Sequence, residues 1–219
     1  MMKRYGLVGL GATVLALSLV CLSVQSEEQK TDAPASIEFR EEFLKDFRRT
    51  GLATTVGDAM FLRILVEARG AKRGIEVGTE QGFGAINMGI GFERNGGQLY
   101  TLEIDPRLVK IARGNIAKVA LDKTVTVVEG DALKTLPKLE GEFDFMFIDA
   151  AKNDYFKYFK AVEAKLKPGA VICADNAIHS ARAMKDFLDY MKDSPNYEMV
   201  VIRASMDKGD GMAVCYKIK

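Results

Sequence analysis

From residue 73 onward the chain alternates between short apolar runs of strand length and longer stretches of helical period, and few folds accommodate that rhythm. The runs are "GIEVG", "QLYTLEI", "TVTVVEG", "FDFMFID" and "AVICAD". Helical segments are expected at residues 85–93, 106–120, around 132, and at 153–166 and 181–191. Pro106 suits a first helical turn, where its missing N–H leaves no bond unmade. Strands and helices in this order build a parallel sheet covered on both faces. Two last runs, "YEMVVIRA" and "GMAVCYKI", have no helix between them and are expected to pair antiparallel. The expectation is an α/β fold with a seven-stranded, mostly parallel sheet, the last strand antiparallel and helices on both faces.

Ahead of this lie an amphipathic helix in "IEFREEFLKDFRR" and a second helix over 56–69. Residues 27–36 read as a polar linker, leaving 37–219 as one domain. Residues 1–26 differ in kind: Lys3 and Arg4 precede nineteen uncharged residues, 6–24. This segment reads equally as a cleaved signal peptide or as an N-terminal membrane anchor through residues 6–24. In both cases the basic pair places the following domain outside the cytoplasm, exported or membrane-anchored. The net charge of +1 comes with no basic block, which argues against a nucleic-acid partner and for small molecules. Cys21, Cys173 and Cys215 form neither a disulfide framework nor a metal spacing and read as buried thiols.

Ligands of such sheets bind beyond the carboxyl ends of the strands, so the residues that close each strand carry the functional reading. After the first strand, Gly78, Gly82 and Gly84 allow a tight turn and close approach of a ligand to the backbone. Their spacing is not the dinucleotide fingerprint. Glu76 would repel a pyrophosphate and could accept hydrogen bonds from an ammonium, which favours a cationic cofactor without phosphate. Glu103 closes the second strand, where an acid commonly grips ribose hydroxyls. Asp131 and Ala132 close the third and could flank an adenine. Asp149, Asp175 and Asn176 follow the fourth and fifth strands and offer hard oxygen ligands suited to Mg²⁺ or Ca²⁺. Such an Asp is equally a common helix cap or turn former. Lys152 could take a proton from a substrate, yet by local sequence a surface pair with Asp154 is the simpler role. His179, the only histidine, has no positioned partner in the sequence and reads as incidental or as part of an acceptor pocket.

Taken together, "TTVGDAMFLRIL", "GIEVGTEQGFGA", "YTLEIDP", "VEGDA", "FMFIDAAKNDY", "ICADNA" and "GDGMAV" resemble the class I S-adenosylmethionine-dependent methyltransferases of the catechol and caffeoyl-CoA O-methyltransferase type. The resemblance spans nearly all of 37–219 and implies a Rossmann-like methyltransferase fold. It implies that Val56, Glu76, Gly78, Gly82, Gly84, Glu103, Asp131, Ala132 and Asp149 form the methyl donor's site. Asp149, Asp175 and Asn176 would bind a divalent cation, Mg²⁺ by preference, and Lys152 would be the catalytic base. The acceptor implied is a small vicinal diol or phenol, and a homodimer is compatible with the reading. Gly84 departs from the family's usual serine, no tryptophan is present, and Ala151 and Ser180 replace bulkier or stiffer residues, which together imply a wider acceptor pocket. These departures, with the leader, leave a second expectation: an exported S-adenosylmethionine-binding protein with little turnover. A nicotinamide-dependent oxidoreductase is disfavoured by the glycine spacing.

Overall fold

The protein is described from a computed structural model that covers Met1 and residues 35–219. The leader or anchor and all but the end of the linker lie outside the described residues, as does Cys21. The elements run α1 (Ile37–Lys45), α2 (Val56–Arg69), β1 (Arg73–Val77), α3 (Phe83–Arg94), β2 (Gln98–Glu103), α4 (Pro106–Lys118), β3 (Val125–Glu129) and α5 (Ala132–Thr135). They continue with β4 (Phe143–Ile148), α6 (Tyr155–Val162), β5 (Leu166–Ala174), α7 (Lys185–Asp193), β6 (Tyr197–Ile202) and β7 (Met212–Lys217). The seven strands form one sheet in the order β3-β2-β1-β4-β5-β7-β6. All neighbours from β3 to β5 are parallel, and β7 runs antiparallel to both β5 and β6. The strand order reverses between β1 and β4, and a crevice opens at the carboxyl ends there. Among the described residues no helix is long and apolar enough to cross a membrane.

The unbroken apolar run of β4 follows from burial on both faces. Phe145 and Phe147 join a core with Leu62 and Val66 of α2 and Ile86 and Phe92 of α3. Met146 and Ile148, pointing the other way, join Tyr155 and Phe159 of α6 and Phe187 of α7. Helix ends follow local chemistry. Thr55 caps α2, accepting the Asp58 N–H at 3.2 Å and donating its hydroxyl to the Asp58 carboxylate at 2.8 Å. Gly70, at φ 64°, closes the same helix in a left-handed turn. Cys173 and Cys215 are buried free thiols, and burial pushes the Cys215 thiol up to about 12.

Four expected helices are shorter than the sequence suggested, the 106–120 helix only by its last two residues. The 153–166 helix is reduced to Tyr155–Val162 between single 3-10 turns, because β5 already begins at Leu166. The 181–191 helix starts only at Lys185: Asn176 adopts φ 62°, and the Ile178 and His179 amides are held by Asp210, which keeps the preceding segment in turns. The 37–49 segment stops at Lys45, and the only buried residue of α1 is Arg40. Its guanidinium donates to the carbonyls of Val119 (2.9 Å) and Ala120 (3.2 Å) and forms a two-pronged pair with Glu93, fastening α1 to the end of α4. Arg40→Ala leaves those two carbonyls without their donor and Glu93, about one-third exposed, to water. The expected loss is about 2–3 kcal/mol, below the full cost of breaking a buried pair because Glu93 keeps solvent. In thermal unfolding this appears as a fall in Tm of roughly 5–10 °C.

Candidate active site

Backbone pairing sets the site before any side chain does. The Gly78 N–H donates to Leu102 O, Asp149 N–H to Val77 O and Asp175 N–H to Ile148 O, so the residues that follow β1, β4 and β5 extend the parallel ladder by one step. The chain then turns. Gly78 has φ 98°, and a β-carbon there would overlap the Asp149 carbonyl oxygen. Gly82, at φ 95°, opens α3.

A cavity of about 520 Å³ occupies the crevice, lined in part by Gly78, Gly84, Glu103, Asp131, Ala132 and Asp149. Of the donor-site expectations, Val56, Glu76 and Gly82 do not line it. Val56 lies half-exposed at the start of α2, and Gly82 packs towards Ala112 beneath the turn. Glu76 is buried below the floor: a β-carbon at Gly84 would lie 2.8 Å from its Oε1 and 3.2 Å from the Thr54 hydroxyl. The space that a serine would take at Gly84 is thus shared by Glu76 and Thr54. The Thr101 hydroxyl donates to Glu76 Oε2 at 2.5 Å and also bonds the Thr79 hydroxyl. Burial pushes the Glu76 carboxyl up to about 8, against the Thr101 bond, with Asp149 and Glu103 adding like charge.

Glu103 is pinned by three amides, those of Glu80, Ile104 and Asp105, at 2.9–3.0 Å. The arrangement fixes its carboxylate at the cavity wall. Asp131 caps α5 through the Leu133 N–H at 2.9 Å while also lining the cavity, so its capping and binding readings are compatible. Sequence reasoning missed Thr54, Phe83, Ile104 and Tyr158 of the lining. Ile104 carried a signal: an apolar residue directly after a strand-end acid, and 68% exposed.

Lys152 extends its amine to Asp149 Oδ1 at 2.7 Å and to the Tyr155 hydroxyl at 2.8 Å. Asp154 pairs instead with Lys157, so the surface pairing of Lys152 with Asp154 is not what forms. Tyr155, fully buried, went unnoticed in the sequence, although its i+3 spacing from Lys152 in "KNDY" was the clue. Burial raises the Asp149 carboxyl; the Lys152 charge opposes this and Asp175 reinforces it.

Asp175 is 3% exposed. Its Oδ2 accepts from Lys208 at 2.5 Å, whereas Oδ1 is buried without a hydrogen-bond partner. Asn176 spends its Nδ2 on Asp210 Oδ2 at 2.9 Å, leaving its amide oxygen as the group it can offer. Asp210 anchors this corner: burial opposes its ionisation, yet donors from His179, Asn176, Gly211 and Ile178 bring its carboxyl down to about 2. The His179 ring stays largely exposed, 3.5 Å from Asp210, away from Lys152's partners. Among the described residues no three His, Cys, Asp or Glu side chains form a metal cluster. Even so, an orphaned, buried carboxylate oxygen beside a second carboxylate and an amide oxygen fits a hard divalent cation.

Comparison with known proteins agrees with this geometry. A family model described as O-methyltransferase matches residues 26–218. A catechol O-methyltransferase of Mycobacterium tuberculosis is 34% identical, the match covering 74% of this chain and 80% of that one. A catechol O-methyltransferase of Niastella koreensis is also 34% identical, the match covering 62% of each chain and thus less than two thirds of that relative's length. Among solved structures, the O-methyltransferase from Bacillus cereus in complex with SAH superposes with a TM-score of 0.71 at 26% identity, covering 82% of this chain and 89% of that one. With its strand-end residues arranged around one crevice, the chain belongs to the O-methyltransferase family of S-adenosylmethionine-dependent enzymes.

Proposed function

We propose that the protein transfers a methyl group from S-adenosylmethionine to a hydroxyl of a small, catechol-like vicinal diol, with Lys152 as the base and Asp149, Asp175 and Asn176 holding a divalent cation, Mg²⁺ or Ca²⁺. The observation that carries this reading is the meeting, at one sheet edge, of a donor-sized cavity with the Lys152 amine and the unpartnered Asp175 oxygen. The relatives named catechol O-methyltransferase support the acceptor class. A divalent cation bound at that edge would favour the phenolate form of the diol and fix its approach.

The chain's own residues divide the work. Glu103 is placed to accept hydroxyls of the donor's ribose, and Asp131 and Ala132 flank its base. Glu76, beneath Gly84, supplies negative charge below the donor's amino-acid end. Lys152 receives the acceptor's proton, oriented by the Tyr155 hydroxyl and by Asp149. The small Ala151 at the rim leaves the acceptor side wide. A binding protein with little turnover is the second reading, favoured by the engagement of both Asp149 and Asp175 with lysine amines.

Lys152→Ala is expected to lower kcat by about 10²–10⁴-fold with donor affinity preserved, and Tyr155→Phe by less. Single-turnover assays with a catechol, paired with calorimetry for the donor, check this; an unchanged rate returns Lys152 to a structural role. Asp175→Asn is expected to abolish Mg²⁺-stimulated transfer while donor binding persists, since Asp175 is not part of the cavity lining. Equal wild-type activity in excess chelator would sink the metal assignment. Glu76 enters the free protein largely protonated at neutral pH, and a cationic ligand favours its ionised form. Donor binding should therefore release a proton and tighten with rising pH below about 8, by up to about tenfold per unit between roughly pH 6 and 7.5. Calorimetry in buffers of differing ionisation enthalpy reads the proton directly, and Glu76→Gln should remove the dependence.

A further inference from the structure

Lys208 lies in the loop between β6 and β7, and no step proposed above uses it. Its amine is 2.5 Å from Asp175 Oδ2 and 3.6 Å from Asp58 Oδ2, with the side chain only 20% exposed. Both carboxylates come from buried positions: Asp58 is 4% and Asp175 3% exposed. They approach from separate elements, α2 and the end of β5. Without the amine, two buried acids would face one another uncompensated.

The loop that carries Lys208 is itself held. A β-carbon at Gly57, in the first turn of α2, would lie 2.8 Å from Ala204 O, so the loop packs directly on that helix. Two residues beyond Lys208, Asp210 fixes the Asn176 amide. The lysine is therefore delivered to Asp175 by a segment that also sets the orientation of its neighbour. An ammonium bonded to one oxygen of a carboxylate repels a dication approaching the other. The free Oδ1 of Asp175 and the occupied Oδ2 thus belong to competing arrangements.

We propose that Lys208 is the resident counter-cation of this site, neutralising Asp175 and Asp58 when no metal is bound, and that divalent-cation binding requires its displacement. The proposal rests on the metal reading above. Its consequence is a metal affinity below what the oxygen ligands alone would give, because the competent state, with Lys208 withdrawn, is a minor one. A second consequence is that metal binding loosens the β6–β7 loop from α2.

The test uses the full chain without acceptor and titrates it with Mn²⁺, reading free ion by electron paramagnetic resonance. Lys208→Met is expected to bind Mn²⁺ about tenfold or more tightly than the wild type. Its thermal midpoint should be lower without metal, where two buried acids are left unpaired, and should rise more than the wild type's on Mn²⁺ addition. Lys208→Arg, which keeps the charge, should not tighten binding. Lys208→Met combined with Asp175→Asn should lose the gain, assigning the ion to this site. If Lys208→Met does not fold, as judged by calorimetric binding of S-adenosylhomocysteine, Lys208→Gln provides the same comparison without the charge. Wild-type binding that neither neutral variant improves overturns the role of Lys208 and leaves the metal reading standing. Failure of every protein to bind Mn²⁺ at millimolar concentration overturns the metal reading and this proposal with it.

Discussion

Three parallel strand ends held in register by backbone hydrogen bonds are what the site depends on. Gly78, Asp149 and Asp175 each donate an N–H to the neighbouring strand one residue past its regular end. These bonds depend on no particular side chain at the three positions. They hold Gly78 and Asp149 at the cavity wall although both residues are only partly buried. Everything functional is then a matter of which side chain the sequence places on a scaffold that is already fixed.

The side chains it places are electrostatically demanding. Asp58, Asp149 and Asp175 approach one another at one edge, and two lysines, 152 and 208, come to meet them. One acid is left with an oxygen that nothing satisfies. Burial of this kind costs stability that an apolar pair would not. A surface with no ligand to bind has little reason to retain it, and the cost falls at the same edge as the cavity.

Much of this was legible in the sequence, and the reason is periodicity. The strand and helix alternation set the sheet and the strand ends, and the strand ends gave Gly78, Glu103, Asp131, Ala132 and Asp149 for the cavity and Asp175 beside it. What was not legible involves contacts across long separations. Arg40 reads as one charge on an amphipathic helix, yet it is the buried residue of α1 because the carbonyls of Val119 and Ala120 come to it in space. The late start of α7 depends on Asp210, some 30 residues downstream. Glu76 lies inside the end of its strand as expected but sits under the cavity floor rather than on its wall, because Gly84 leaves room for it there. Lys208 gives no local signal, since its two acids belong to α2 and to the end of β5.

The overlap that a β-carbon at Gly78 would make with the Asp149 carbonyl joins two halves of the molecule that could otherwise change separately. The turn after β1 and the backbone that carries the Asp149 carboxylate share one van der Waals surface. A substitution that adjusts one must therefore shift the other. Variation of the cavity wall has an easier route through Ala151, whose side chain lies at the lining without such an overlap, than through either of these two positions. In this architecture the centre is a single mechanical unit, and diversity belongs to the margin.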